Sequence, residues 1–404
     1  MSIRVQKALQ RAAELRGRSG PILASAPPRV AVRRTVAIGD PQTTADRFFA
    51  VLDQHGLLGD DGGLRADVQL ISMGDHFDFD FAQQELGRSA GVLILGWLAS
   101  HAPEQVVILF GNHDAARVME LATTTDARFR AAEPLARELK ALESARDPRY
   151  RECLVQEFLP QFPELATPGY VVRDYNSFTE EQRSLVRALL VAGRFRLAAA
   201  ARAVTGEPLL FSHAGVTIRQ LAELGIAGER DPSAVAGALH ALLTHAVAAV
   251  APDWLAGAGT PLSLDPVHVA GADGEEGGGL LYHRPSNPDR PGADPRWEAA
   301  ARRPRRFHPR DLPAGLVQVA GHTGHHKCVT EMPGWHTDEP GDRSPDLRTL
   351  RARPDGVVEY RRGLHLDAAL GDGVLLLVDP EMHRAPSPAD VEVLDLAAGS
   401  IEIA

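Results

Sequence analysis

Five side chains stand out because each closes an apolar run. Asp40 ends Val36-Ala37-Ile38-Gly39, and Asp75 ends Leu70-Ile71-Ser72-Met73-Gly74. Asn112 follows Val107-Ile108-Leu109-Phe110-Gly111, His213 follows Leu209-Leu210-Phe211-Ser212, and His322 follows Val317-Gln318-Val319-Ala320-Gly321. Together they offer two carboxylates, an amide oxygen and two imidazoles. A mixed oxygen and nitrogen donor set suits Mn, Fe, Zn or Ni better than Ca or Mg. Two such ions about 3.5–4 Å apart, sharing one carboxylate, would clamp the attacking and leaving oxygens of a displacement at phosphorus.

The elements that must position these groups follow from the same runs. Short stretches rich in Val, Ile and Leu read as strands buried on both faces. Strands of that kind present chemistry at their carboxyl ends. Strands are expected over residues 30–38, 68–72, 106–110, 209–211 and 316–320, then over 374–378 and, at an edge, 391–396. Helices are expected from a cap at Thr43 or Thr44 to Gly56, and over 84–101. Another opens at the capping box Thr179-Glu180-Glu181-Gln182, and 233–250 is apolar nearly all round, hence a buried helix. Strand, helix, strand, helix, strand is the rhythm of an α/β core.

Residues 1–29 read as an N-terminal helix, either surface-bound or a loosely held arm, plus a Pro- and Ala-rich linker ahead of one domain over 30–404. Within that domain, 115–178 has helical patterning without a clear strand and reads as an inserted cap. Residues 271–311 form a Gly-, Pro- and Arg-rich loop of the length that is usually functional or disordered.

A net charge of −10 argues against a general nucleic-acid coat and against an anionic membrane surface, while allowing a local basic pocket. The basic run at 302–306 reads as a solvated loop. Cys153 and Cys328 are far apart, which excludes a disulfide framework and a zinc knuckle and points to the cytoplasm. The apolar window 91–99 is too short to cross a bilayer.

Gly39-Asp40, Gly74-Asp75-His76-Phe77-Asp78, Gly111-Asn112-His113-Asp114, His213-Ala214-Gly215 and Gly321-His322-Thr323, in this order, resemble the blocks of the calcineurin-like metallophosphoesterases. The likeness is to the Ser/Thr phosphatase and dinucleoside-tetraphosphatase-like bacterial branches. It implies a four-layer αββα sandwich of two mixed sheets flanked by helices, with a helical insertion. It implies two divalent or trivalent ions (Mn, Fe, Zn or Ni), the first held by Asp40, with Asp75 bridging and Asn112, His213 and His322 completing the second. A hydroxide between the ions would attack phosphorus. His113 would protonate or steady the leaving oxygen, and Asp78 would orient His113. The implied activity is phosphomonoester hydrolysis on a small molecule, nucleotide or phosphoprotein. The alternatives are a phosphodiesterase or nuclease on the same centre, and a scaffold of this fold that has lost hydrolysis.

The resemblance departs in three places. The first block usually reads Asp-x-His but is Asp40-Pro41-Gln42 here, and the last often ends in a second histidine where Gly324 stands. Gln42, His325 or His326 is therefore left to complete the first metal position. Phe79 occupies the place of a phosphate-gripping arginine in the Ser/Thr phosphatases, which makes Arg117 or Arg284 the expected grip. His76 reads as structural or as a supporting group.

Overall fold

The apolar runs assemble into two main sheets in the computed structural model, which describes residues 1–17, 30–289, 304–336, 346–366, 371–396 and 401–402. In the first sheet Arg34–Ile38, Val68–Ser72, Val106–Leu109 and Phe195–Arg196 lie side by side and parallel. Leu394–Asp395 pairs antiparallel at the outer edge of Arg34–Ile38. The second sheet is centred on three parallel neighbours, Pro208–Ser212, Val317–Ala320 and Gly373–Leu377. Antiparallel strands flank them: Ala198–Arg202 and Ile401–Glu402 on one side, Arg348–Ala352 and Val358–Arg362 on the other. The chain is thus a mixed α/β protein.

Side-chain alternation splits the core. Ile71, Val107 and Leu109 of the first sheet share one buried cluster with Phe211, Val319 and Leu376 of the second. Their neighbours Ile38, Leu70 and Ile108 turn the other way and join a cluster with Phe48, Phe49 and Trp97. Those rings come from the helices Ala45–Gln54 and Gln84–Ala99 and meet edge-on, with centroids 5.3–6.4 Å apart. Each large side chain buried in this way contributes roughly 1.5–3 kcal/mol. Both sheets therefore hold their parallel strands rigidly, and the six carboxyl ends of the central strands carry the residues described below.

Several expectations are corrected. The strands Phe195–Arg196 and Ala198–Arg202 were not expected, because Ala198-Ala199-Ala200-Ala201 lacks the branched and aromatic residues that mark strands. Small side chains suit that strand because the helix Pro232–Leu255 packs across it. This helix is not buried all round. Val235, Leu239, Leu243, Val247 and Trp254 face inward, while alanines make much of the outer surface. It is long and apolar enough to cross a membrane, with 33% of its most apolar window buried.

The N-terminal helix Ile3–Arg16 is a docked surface element and not a loose arm. Val5, Ala8 and Ala12 join the helix-side core, and the Lys7 ammonium donates to the Asp60 carbonyl at 2.6 Å. Residues 115–178, expected as an inserted cap, supply most of a further buried cluster that includes Phe129, Leu139, Phe158, Tyr170 and Tyr175, with Tyr282 from the long loop. One turn of π-helix there, Tyr170–Asp174, brings Arg173 and Asp174 to the site. The linker 18–29 and residues 290–303 of the long loop, with Arg302 and Arg303, lie outside the described residues.

Candidate metal centre

Asp75, Asp78 and His322 have left-handed backbones, with φ of 56°, 61° and 61°. Side chains other than glycine rarely adopt this conformation, and it costs of order 1–3 kcal/mol. Here it turns each functional group sharply off its strand end. Asp114, in the short helix Asn112–Ala116, braces that turn by accepting the backbone N–H groups of Asp75 (3.1 Å), His76 (3.2 Å) and Gly111 (3.0 Å). His76 is a brace as well: its ring bonds Asp114 at 3.0 Å and the Ser72 hydroxyl at 2.9 Å, both deep in the core.

The predicted donors converge. Asp75, His213 and His322 are all buried and place ligand atoms within 4.8 Å of one another. The Nδ1 of His213 lies 2.9 Å from the Met73 carbonyl, so this nitrogen carries the proton. Its Nε2 then points a lone pair at two acceptors, Asn112 Oδ1 at 3.1 Å and Asp75 Oδ1 at 3.4 Å. Three lone pairs facing one another repel unless a proton or a cation lies among them. In His322, Nε2 lies 2.9 Å from the Tyr282 carbonyl and 3.0 Å from an Arg284 guanidinium nitrogen.

Asp40 accepts the His322 N–H through Oδ2 at 2.9 Å, while its Oδ1 is buried without a hydrogen-bond partner. Space around both carboxylates is secured by glycine. A Cβ on Gly111 would sit 2.2 Å from Asp75 Oδ1, and one on Gly321 would sit 2.1 Å from Asp40 Oδ1. The orphaned oxygen, the opposed lone pairs and the glycine clearances fit a divalent ion held by Asp75, Asn112, His213 and His322, with Asp40 beside it.

His113 stands at the mouth of this cluster. Its backbone N–H donates to Asp75 Oδ1 at 2.8 Å, its Nδ1 bonds Asp78 Oδ2 at 2.9 Å, and its Nε2 faces the cavity 3.8 Å from Asp75 Oδ2. Burial alone would lower its pKa, but the Asp75 and Asp78 carboxylates outweigh this and raise it above the ordinary histidine value. For Asp78, burial pushes upward and is overcome by the Arg117 guanidinium and His113, which hold it well below the usual carboxylate range.

Arg117, expected as a phosphate grip, is not among the residues that line the cavity. It is fully buried, pairs with Asp78 Oδ2 at 2.7 Å, and donates to the His113 carbonyl at 2.8 Å and to Gln182 Oε1 at 3.0 and 3.1 Å. Nor do His325 and His326 reach the cavity. His325 turns to the Tyr360 hydroxyl at 2.9 Å, and His326 is exposed. Gln42 lines the cavity, with its amide nitrogen on the Phe77 carbonyl at 3.2 Å and its oxygen left over. Arg284 also lines it, one guanidinium nitrogen 3.0 Å from His322 Nε2 and its buried Nε without a partner.

The cavity holds about 570 Å³. Sequence reasoning missed several of its walls: Arg173, Tyr282, Arg305, Lys327, Asp379 and Glu381. Asp379 had a signal. The strand at 374–378 was expected, yet its ending Asp379-Pro380-Glu381 repeats Asp40-Pro41-Gln42 almost letter for letter. Burial and the neighbouring Glu381 push the Asp379 carboxyl up to about 6. Behind the cavity, burial pushes Glu120 up to about 7, and its Oε1 accepts the Tyr282 hydroxyl at 2.8 Å.

The chain matches no protein-family model, no curated protein and no solved structure.

Proposed function

We propose that the protein is a metal-dependent phosphoesterase of the calcineurin-like type, acting on a phosphomonoester. The observation that carries this reading is one constellation: Asp75, Asn112, His213 and His322 gathered around a cation-sized gap, with the Asp78–His113 pair at its rim. The arrangement of the two sheets supports it, since they share a core and carry helices on the first sheet's outer face, as in an αββα sandwich. Divalent ions in such a centre neutralise phosphoryl oxygens and make water a better nucleophile near neutral pH.

The chain's own groups supply the rest. Arg284 and Lys327 line the cavity and offset the charge of a bound phosphate. His113, oriented through Nδ1 by Asp78 and with its protonated form favoured by the Asp75 and Asp78 carboxylates, gives its Nε2 proton to the departing alkoxide. Water oxygen joins phosphorus as the ester P–O bond breaks, and the products are an alcohol and inorganic phosphate. The two free thiols, Cys153 and Cys328, support a cytoplasmic location.

A pocket of about 570 Å³, walled on one side by Arg173, Asp174, Tyr282, Arg284 and Arg305, favours a small ester over a polymer. Steady-state rates on p-nitrophenyl phosphate and bis(p-nitrophenyl) phosphate, with Mn, Fe, Zn or Ni added, test this. We expect kcat/KM to favour the monoester by at least about tenfold, roughly 1.4 kcal/mol of transition-state discrimination. A preference for the diester would move the reading to a phosphodiesterase or nuclease. Absence of hydrolysis with every metal would leave only the scaffold.

A further inference from the structure

We propose that Asp379 completes a first cation position built from oxygen donors alone, together with Asp40, Asp75 and Gln42. That position takes a hard divalent ion such as Mn²⁺ or Mg²⁺, while the imidazole position at His213 and His322 takes Zn or Fe. The inference rests on the metal-centre reading above and deepens it.

The topology places Asp379 correctly. It ends the strand Gly373–Leu377, which runs parallel to Val317–Ala320 with Leu377 opposite Ala320. The pairing continues one residue further, the Val378 N–H donating to the Ala320 carbonyl at 2.8 Å. Asp379 therefore emerges beside Gly321 and His322. On its other side the end of the first strand is pressed against it. A Cβ on Gly39 would lie 2.1 Å from the Val378 carbonyl oxygen and 2.9 Å from the Asp379 Cα. Asp40 and Asp379 thus leave two different sheets at adjoining points, each followed by proline.

The side chains make a cation the natural occupant. Asp40 Oδ1 is buried without a hydrogen-bond partner, and Asp379 uses Oδ1 to accept the Glu381 N–H at 2.8 Å. Asp379, Asp75 and Gln42 line one cavity. Buried Asp40 and Asp75 and half-buried Asp379 repel one another, and Lys327 is the cation beside them in the cavity, one charge against three. Hard oxygen donors, two or three of them anionic, match Mn²⁺ or Mg²⁺ better than Zn²⁺.

The competing donors are spoken for. A Cβ on Gly324 would lie 2.3 Å from Glu381 Cγ, so the Glu381 side chain occupies the space a histidine at that position would need. His325 is bonded to Tyr360, and His326 gives its backbone N–H to Glu381 at 3.0 Å. An amide oxygen from Gln42 and a carboxylate from Asp379 stand where two imidazoles would otherwise be sought.

The test is metal stoichiometry on the full-length chain, stripped with chelator and dialysed against Mn²⁺, read by mass spectrometry of bound metal and by the Mn²⁺ electron paramagnetic resonance spectrum. Wild type should take up two equivalents. Asp379→Asn should take up one, its weaker Mn²⁺ site lost or weakened at least about tenfold, while one equivalent of Zn²⁺ still binds. Asp379→Glu, which keeps an anionic oxygen, should retain both and guards against a folding defect in the amide variant. Two equivalents of Mn²⁺ at wild-type affinity in Asp379→Asn would overturn the assignment, as would a wild type that binds one equivalent only; the phosphoesterase reading survives either result. A wild type that binds no divalent metal overturns both.

Discussion

Alanine at His113 is expected to lower kcat on a phosphomonoester by about 10²- to 10⁴-fold, the usual contribution of a positioned proton donor. Metal uptake should change little, because the His113 hydrogen bond to the cluster is its backbone N–H to Asp75, which alanine keeps, and its Nε2 stands 3.8 Å from Asp75 Oδ2. The loss should depend on the leaving group. An alkoxide needs the Nε2 proton, whereas p-nitrophenolate departs unaided, so the variant should look least damaged on p-nitrophenyl phosphate and most damaged on an alkyl phosphate. Equal rates for wild type and variant on the alkyl ester would remove His113 from the mechanism.

Arg117→Met is expected to destabilise the protein by about 3–5 kcal/mol, because it breaks a fully desolvated ion pair and leaves Asp78 charged in the interior. The damage should spread along named contacts. Asp78 also accepts the Ser177 N–H at 2.9 Å and the Ser177 hydroxyl at 2.6 Å, and Gln182, which takes both remaining Arg117 bonds, donates to the Ser177 carbonyl at 2.8 Å. Arg117 is thus the pin through which the cap and the helix Glu180–Val191 hold the Asp78–His113 pair. Urea denaturation measures this effect. A midpoint unchanged within error, with a raised KM for phosphate esters, would restore the phosphate-grip role that this residue's place in the sequence suggests.

Those two residues show what a sequence makes legible. His113 is local: an apolar run, a glycine and an imidazole suffice to place it at a strand end. Arg117 lies four residues on, and nothing nearby tells that its partners are Asp78, thirty-nine positions upstream, and Gln182, sixty-five downstream. The strand ends at Asp40, Asp75, Asn112, His213 and His322 were legible for the same local reason, because runs of Val, Ile and Leu terminate in glycine or directly in a polar donor. The left-handed turns of Asp75, Asp78 and His322 were not, since residues other than glycine adopt them only when surrounding structure enforces them.

Composition misled in two other places. Alanines at 198–201 hide a strand because packing against the helix Pro232–Leu255 calls for small side chains, while other alanines, such as Ala241 and Ala248 on that helix's outer face, make it look buried. The wall of the cavity was illegible for a different reason. Arg173 arrives on a π-turn of the cap, Lys327 on a short helix, and Arg305 on the far side of the long loop. No spacing rule links them; only the closed fold does.

Bound metal and hydrolysis should be followed together while the purified chain is stripped with a chelator and then reloaded. The account predicts that phosphomonoester turnover falls to background as the last equivalent leaves and returns in proportion to metal restored. Turnover that persists in protein verified to be metal-free would contradict it.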